Sequence, residues 1–549
     1  MKKASLASVV ILTVGSFLGA VAPACGSSSH GVGGGDGGGA SSSSGASSGS
    51  SNGVNFSSSG SSSGASSGAS SGGPCTGLQC QIDLNCGASV NNGHNTSISG
   101  YVYDPAGNNP LYNVVVYVPN AAVDPLPAAP AGDCSCSSLF SGSPVAAGVT
   151  DATGHFIIPN APDNGTSGTA IPLVVQIGKW RKQTSITTVK QCTDNTDGIT
   201  KLTLPSQADA NDDLPQIAIS TGGADTLECL LHRIGVADGE WSGGPGGTGH
   251  IHIFQGSTVA GELPTAAVAS TGTTPASYSS LFADMSPYDI VVLSCEGGET
   301  AGAAGGAGNS PLTTTELTAL QNYTTAGGRA FLSHFHYAWL TAGPFSSATP
   351  PLATFIHGSN PIYEGAVDLG INETNGAIIQ TQSDGGVFQK GAIFDQWLTT
   401  THALTNGALP ILAPRYNSVV GPANTSSQEW IAADSEATTQ FSDGGVASVP
   451  GAAQYFTFDT PLGGIGTDDG GATEYCGRVV FSDLHVGSAS GDYPGATTTS
   501  PAPTAPTQCA NNALSPQEKA LEFMLFDLSS CVTPDTGPGS GGSPPVIIQ

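Results

Sequence analysis

Basic residues are scarce in this chain. Lys and Arg number 13 against 41 Asp and Glu in 549 residues, so the formal net charge is −28 at pH 7. Proteins that bind nucleic acid neutralise phosphates with clustered cations, and this composition excludes that class of partner. Long apolar runs are scarce as well, because beyond residue 25 none approaches the roughly 20 residues of a membrane-spanning helix. We therefore expect no transmembrane helix after the first 25 residues.

The first 25 residues have the features of a secretory signal. Lys2 and Lys3 provide the positive start, Leu6–Ala22 forms the apolar stretch, and small residues lead to Cys25. This junction resembles a bacterial lipobox, whose cysteine is lipidated and becomes the mature N-terminus. The resemblance implies an exported lipoprotein held at the bacterial outer membrane or cell surface through Cys25. Ordinary secretion without a lipid anchor is the alternative.

A low-complexity segment follows this signal. Residues 26–74 are almost entirely Ser, Gly and Ala, which offer no apolar surface to bury, so we expect a disordered tether. A flexible chain of this length spans roughly 40 Å. Residues 533–549, rich in Pro and Gly, are expected to form a disordered tail. The stretch between them, about 450 residues, is longer than a single hydrophobic core usually holds. We therefore predict a cysteine-rich segment at 75–94 followed by two domains, 95–206 and 212–532.

The chain has 12 cysteines, which in an exported protein indicate disulfides before metal ligands. If Cys25 carries lipid, eleven remain, so at least one stays outside any disulfide. Cys295, at the end of an apolar run, is the best candidate for that thiol. The other ten are predicted to form five disulfides, with the pairing left open: Cys75, Cys80, Cys86, Cys134, Cys136, Cys192, Cys229, Cys476, Cys509 and Cys531. A zinc site among the first five of these is the alternative, although their spacing is unlike common zinc motifs.

Residues 95–206 contain short apolar runs separated by Asn, Asp, Gly and Pro, a pattern that predicts the strands and turns of a small all-β sandwich. A tight turn is predicted at Asp151–Gly154. Two motifs resemble the carboxypeptidase regulatory-like domain, a transthyretin-like fold: Gly100-x-Val102-x-Asp104 and Thr150-Asp151-x-x-Gly154-x-Phe156. This resemblance implies an accessory domain, sometimes grouped with carbohydrate-binding sandwiches, that supplies no catalytic residue.

A basic cluster stands out in this acidic background. Lys179, Arg181 and Lys182 surround Trp180, with further lysines nearby. One interpretation is a strand edge that its charges protect against aggregation. The other is a ligand-binding platform, in which Trp180 offers a flat face to a sugar and the cations hold acidic groups. The second interpretation predicts a carbohydrate or cell-envelope polymer as the partner.

From about residue 212 continuous apolar runs alternate with helical spacing, which predicts an α/β domain of three layers with a mostly parallel sheet. Capping boxes are predicted where Thr313 and Ser515 each stand three residues before a glutamate. The last helix should dock its apolar stripe on the sheet. The insertion-rich residues 340–470 carry no clear pattern.

Three segments resemble the class I glutamine-amidotransferase-like, flavodoxin-type fold and, within it, the ThuA-like group: Asp289–Leu293, Gly327–His334 and Gly477–His485. The amidotransferases themselves present a cysteine on a tight turn and pair it with His-x-Glu. Here His334 stands at that turn, and Gly487 stands where the glutamate belongs. We therefore do not expect amide hydrolysis by that mechanism.

The same segments predict a histidine-rich crevice, because ligands gather beyond the carboxyl ends of the strands in open α/β sheets. The residues placed there are Cys295, Glu296, His334, His336, Asp483 and His485. Three interpretations stay open. The groups line an inert pocket, or His334, His336, Asp483 and His485 bind a divalent metal, or Cys295 acts as a nucleophile or His334 and His485 as acid–base groups.

These observations favour a membrane-tethered lipoprotein that binds an extracellular carbohydrate or envelope polymer without turnover and requires no cofactor. One alternative is a metal-assisted hydrolase or sugar-modifying enzyme that uses the crevice of His334, His336 and His485. A structural protein of the cell envelope is the second alternative.

Overall fold

Short strands form two β-sheets in the N-terminal part of the fold. The structure is a computed structural model and describes residues 75–87, 93–129, 134, 139–165, 168–196, 201–222, 225, 227–256, 275–295, 313–356, 366–367, 374–383, 385–412, 414–433, 437–441, 446–449, 451–467, 473–486, 513–533 and 535. The strands of these N-terminal sheets are β1 (Ser97–Tyr103), β2 (Val115–Pro119), β3 (Pro144–Val149), β4 (His155–Pro159), β5 (Ile171–Ile177), β6 (Trp180–Ile186), β7 (Asp194–Asn195), β8 (Leu202–Thr203) and β9 (Asp212–Asp213). One sheet joins β4, β1, β7 and β8, and the other has the order β3-β2-β5-β6-β9.

The two N-terminal sheets bury their facing sides in a shared core. Ile98 and Val102 of β1 point into it, as does Val116 of β2. The turn at Asp151 forms as predicted, since its Oδ1 accepts the Thr153 N–H at 2.8 Å and Gly154 has φ of +75°. The strands and turns predicted for residues 95–206 therefore form.

A mixed sheet of 11 strands dominates the rest of the fold. Its members are β10 (Ile217–Ser220), β11 (Trp241–Ser242), β12 (Ile251–Gln255), β13 (Ala276–Ser277), β14 (Ile290–Leu293), β15 (Arg329–Ser333), β18 (Thr374–Ile378), β19 (Leu409–Ile411), β21 (Ser427–Ala433), β24 (Ala453–Thr460) and β27 (Gly477–Ser482). Smaller pairings involve β16 (Thr354–Phe355), β17 (Ala366–Val367), β20 (Ser418–Val419), β22 (Ala437–Phe441), β23 (Val446–Val449), β25 (Gly466–Thr467) and β26 (Thr473–Glu474).

The large sheet is parallel on one side and antiparallel on the other. Its order is β11-β12-β10-β14-β15-β27-β24-β21-β18-β19. All neighbours from β11 to β27 run parallel, and those from β27 to β19 run antiparallel. The parallel strands form where continuous apolar runs predict them, and their side chains are buried on both faces of the sheet. The antiparallel part comes from residues 340–470, where the sequence gave no pattern.

Helices cover both faces of the parallel strands. They are α1 (Glu228–Arg233), α2 (Tyr278–Ala283), α3 (Thr314–Thr325), α4 (Ala338–Thr341), α5 (Gln389–Thr400) and α6 (Pro516–Ser529). The core on one face contains side chains of α1 and α6, and the core on the other contains side chains of α2 and α3. Both predicted capping boxes form, at Thr313 with Glu316 and at Ser515 with Glu518. None of the helices in the described part of the chain is long and apolar enough to span a bilayer.

Helix α6 is almost entirely buried because it packs against the N-terminal sheets as well as the large sheet. The ring of Phe523 stacks on Tyr112 at 6.0 Å, and Phe526 meets Trp180 edge-on at 5.7 Å. Side chains of the N-terminal sheets, of α6 and of the large sheet therefore belong to one continuous hydrophobic core.

Disulfides form as the cysteine composition predicts. The pairs are Cys75–Cys80, Cys86–Cys192 and Cys134–Cys476, and Cys229 and Cys531 are also disulfide-bonded. Sulfurs joined in this way cannot ligate zinc, so the alternative of a zinc site among Cys75, Cys80, Cys86 and Cys134 is wrong. Cys295 is the one cysteine in the described ranges that stays a thiol, which confirms its prediction.

Candidate metal centre

The candidate site lies at the carboxyl ends of β14, β15 and β27, three neighbouring parallel strands. Cys295 follows β14 after one residue, His334 follows β15 directly, and His485 comes shortly after β27. Strand β10 ends beside them. A Cβ at Gly222 would lie 2.6 Å from the carbonyl oxygen of Cys295, so a glycine is needed where these two chain segments pass.

Cys295, His334 and His485 converge. Each offers one ligand atom, a sulfur or a ring nitrogen, and these atoms all lie within 4.8 Å of one another. The rings of His334 and His485 have their centroids 4.8 Å apart, and Nδ1 of His334 is 3.6 Å from Sγ of Cys295. All three side chains are buried. The predicted crevice therefore brings together three of its residues from three different strands.

The hydrogen bonds of His334 define its tautomer. Asn417 uses its Nδ2 to donate to the carbonyl of Ile356 at 3.1 Å, so its Oδ1 faces His334 as an acceptor. Nε2 of His334 donates to that oxygen at 3.0 Å. Burial, followed by the positive charge of Arg415, lowers the pKa of His334 well below its usual range. A neutral ring with its proton on Nε2 has a lone pair on Nδ1, which faces Cys295.

His485 is a buried imidazole whose polar atoms are unsatisfied. It is 1% exposed, and neither ring nitrogen hydrogen-bonds any part of the chain that the structure describes. Burial, then the charge of Arg415, lowers the pKa of His485 well below its usual range, so the ring is neutral. Leaving a buried polar group without a partner costs about 1–3 kcal/mol. A metal bound by His485 together with the neighbouring thiol and the second neutral imidazole would relieve this cost.

His334 itself has an unusual backbone conformation, with φ of +43°. Non-glycine residues rarely adopt positive φ, and the conformation costs about 1–3 kcal/mol where it occurs at functional sites. It turns the chain from β15 into a 3₁₀ helix, His334–Tyr337. The turn directs the ring of His334 toward Cys295.

His336 and Asp483, which also belong to the predicted metal set, lie beside the convergent group of Cys295, His334 and His485 rather than in it. Nε2 of His336 donates to the carbonyl of Ser294 at 2.9 Å, and Nδ1 accepts the indole N–H of Trp339 at 3.0 Å. Both nitrogens of His336 are therefore occupied. Oδ2 of Asp483 accepts the backbone N–H of Asn417 at 2.6 Å, and Asn417 in turn holds His334. His336 thus holds the residue before Cys295, and Asp483 holds the residue that contacts His334.

The predicted platform around Trp180 does not form. Trp180 is fully buried against α6, because β6 turns this side chain inward. Lys179 pairs with Asp289 at 2.5 Å and Arg181 with Asp213 at 2.8 Å, and both cations are largely buried. Lys182 lies 3.5 Å from Asp212. A side chain with no exposed surface cannot stack on a sugar, and carboxylates already neutralise the cations.

Two residues of this region were missed by sequence reasoning. Asn417 comes from the stretch without a clear pattern, and nothing near it in the sequence connects it with His334. Asp225 had a usable signal, because it follows the apolar run of β10, where the carboxyl end of a parallel strand was expected. It hydrogen-bonds to the carbonyl of Cys295 and to the residues adjacent to His334 and His485.

Cys25, Cys136, Glu296 and Cys509, together with the signal, the tether and nearly all of the tail, lie outside the described residues. Compared with known proteins, the chain matches no protein-family model and no curated protein.

Proposed function

We propose that this protein is an exported lipoprotein that binds a transition metal ion through Cys295, His334 and His485. The observation that carries the proposal is the convergence of their three ligand atoms around the unsatisfied ring of His485. Neutral imidazoles are the form that ligates metals, and lowered pKa values keep both rings neutral. In metal sites the second nitrogen of a ligating histidine usually donates to an oxygen. His334 does so toward Asn417.

The donor set indicates which metals fit. One thiolate and two imidazoles suit Zn²⁺ and copper and are a poor match for Mg²⁺ or Ca²⁺, which prefer oxygen ligands. Three protein ligands leave room for a fourth, and catalytic zinc sites are built in this way. This donor set supports the metal-assisted enzyme that was the alternative prediction. Carbohydrate binding without turnover loses support because Trp180, the centre of its predicted platform, is buried.

The arrangement of the strands supports the resemblance stated from the sequence. In chain order the five main parallel strands are β10, β12, β14, β15 and β27, and they lie in the spatial order second, first, third, fourth, fifth. This order is that of flavodoxin-like sheets, where ligands bind at the point between the first and third strands. Cys295 stands at that point. We infer a ThuA-like α/β region, preceded by a transthyretin-like accessory region formed by the N-terminal sheets.

Export is supported by the disulfides, because such bonds persist in oxidising compartments outside the cytoplasm. Together with the signal and lipobox-like junction at Cys25, they favour a lipoprotein at the bacterial outer membrane or surface.

Titration of the purified mature protein with Co²⁺, a coloured substitute for zinc, tests the proposal. We expect one equivalent to bind and to produce a thiolate-to-cobalt charge-transfer band, which Cys295→Ser abolishes. His485→Ala should weaken binding strongly, whereas His402→Asn, at an exposed histidine, should not. A saturating metal at a hundred times its Kd should stabilise the fold by about 2.7 kcal/mol. Absence of binding by Co²⁺, Zn²⁺ and copper would refute the proposal.

A second candidate function rests on the line Cys295–His334–Asn417. Its distances, 3.6 Å from Sγ to Nδ1 and 3.0 Å from Nε2 to Oδ1, follow the order of a Cys-His-Asn hydrolase. A nucleophilic thiol there would be alkylated by iodoacetamide much faster than an ordinary cysteine, and His334→Ala would slow the reaction. Rapid alkylation in a protein that binds no metal would favour this function.

A further inference from the structure

Asp225 connects the three strand ends that carry the proposed ligands. Its backbone N–H donates to the carbonyl of Cys295 at 3.2 Å. Its Oδ2 accepts the hydroxyl of Ser333, the residue before His334, at 2.8 Å. Its Oδ1 accepts the backbone N–H of Val486, the residue after His485, at 3.1 Å. One residue thus bonds to each ligand itself or to the residue next to it in the chain.

We propose that Asp225 is a positioning residue that fixes the spacing of Cys295, His334 and His485 for metal binding. The inference rests on the proposed function, and it adds a residue that contacts no metal. Asp225 follows β10, the strand that lies beside β14 and supplies no ligand of its own. It is 1% exposed, so water does not compete for its hydrogen bonds.

The physical reason is the precision that metal coordination demands. Ligand distances must match their preferred values to within about 0.2 Å, yet these ligands sit just beyond strands, where the ladder hydrogen bonds have ended. A carboxylate offers two oxygens, and here each oxygen holds a different strand end. Loss of such outer contacts typically lowers metal affinity about 10–100-fold.

Asp225→Asn is the direct test. The amide keeps the shape of the side chain and the backbone bond to Cys295, but it has one acceptor oxygen and places an N–H toward Ser333 or Val486. We expect Co²⁺ affinity to fall 10–100-fold. The ligand-field and charge-transfer bands should also shift, because the coordination geometry relaxes. Ser333→Ala, which removes only the bond beside His334, should produce a smaller change of the same kind.

Asp289→Asn is the matched control. Asp289 is also a largely buried aspartate whose carboxylate accepts a backbone N–H, that of Gln216 at 2.9 Å, but it precedes β14 at the opposite end of the sheet. This variant should lower the melting temperature without changing Co²⁺ affinity or spectrum. If Asp225→Asn is too unstable to purify, Ser333→Ala supplies the same readout.

The outcomes separate the two proposals. If wild type binds no metal, the proposed function fails, and the inference fails with it. If wild type binds Co²⁺ and both Asp225→Asn and Ser333→Ala bind it with unchanged affinity and spectrum, only the role of Asp225 is wrong. A lower melting temperature of Asp225→Asn with an unchanged spectrum would show support of the fold alone and would overturn the inference.

Discussion

Asp104 and Glu522 are two buried carboxyl groups that lie side by side where the N-terminal sheets meet α6. Asp104 also accepts the backbone N–H of Asn108 at 2.7 Å, and Oε2 of Glu522 accepts the side-chain amide of Asn109 at 2.6 Å. Two carboxylates in contact cannot both be ionised without a large cost, so the pair holds a proton. Burial, and then the charge of Asp104, raises the pKa of Glu522 well above its usual range.

This pair predicts that its own contribution to the stability of the folded state falls as pH rises. Above about pH 4.3 the unfolded chain releases the Glu522 proton while the folded chain keeps it. Across that interval, up to the raised pKa, the free energy of unfolding should fall by at most about 1.4 kcal/mol per pH unit. Below about pH 4.3, where both states are protonated, the contribution of Glu522 to stability is fully present. Urea unfolding at several pH values between 5 and 8 measures the slope.

Glu522→Gln isolates the contribution of this group. The amide mimics a protonated carboxyl, since it can donate to Asp104 and accept from Asn109 at every pH. The slope should therefore be smaller in the variant than in wild type. Other buried acids, such as Glu228, whose pKa burial raises to about 8, remain in both proteins and cancel in the comparison. Equal slopes for Glu522→Gln, wild type and the exposed-site control Glu474→Gln would contradict the prediction.

A buried ion network that includes Asp527 of α6 predicts a large loss of stability on substitution. Arg478 lies 2.7 Å from both Asp459 and Asp527 and 3.1 Å from Asp535. Lys390 contacts two of these carboxylates, so removal of Arg478 leaves three acids with one cation. Arg478→Met should lower the free energy of unfolding by about 3–5 kcal/mol. Denaturant titration provides the measurement.

The control is an ion pair nearer the surface. Lys182 and Asp212 are 3.5 Å apart, and the lysine side chain is 32% exposed. Water already solvates much of this pair, so Lys182→Met should change stability by at most about 1 kcal/mol. Similar losses for the two substitutions would mean that burial of the Arg478 network does not govern its effect.

Features encoded locally in the sequence were predicted well. Strand β1 forms within the region whose short apolar runs predict strands, and the cap at Thr313 forms because its partner Glu316 is three residues away. The convergence of His334 and His485 could also be anticipated, since parallel strands place their carboxyl ends along one edge.

Features that depend on distant contacts were not predictable. The basic residues around Trp180 suggest an exposed platform, and Trp180 is a core residue only because α6 docks against it. Lys179 finds its partner Asp289 in the large sheet. Asn417 enters the site from a segment whose strands join the sheet in antiparallel pairs. Sequence periodicity carries no information about which such segment reaches a given strand end.

Thiol titration checks the cysteine assignment. The denatured, unreduced mature protein should show about one reactive thiol, and Cys295→Ser should show none. The native protein should react far more slowly, because Cys295 is fully buried and must be exposed by opening of the fold. Four or more thiols in denatured wild type would contradict the five disulfides predicted from the composition.

The final prediction concerns Cys25 and the membrane. Lipid attached at this residue would hold the protein by apolar burial, about 0.8 kcal/mol for each CH₂ group, whereas a chain with net charge −28 gains nothing from an anionic surface. Wild type should therefore stay with membranes in a high-salt wash and leave them in detergent. Cys25→Ala should appear in the soluble fraction or retain its signal, and Cys295→Ala should behave as wild type. Membrane-bound Cys25→Ala with normal processing would show that the lipoprotein proposal is wrong.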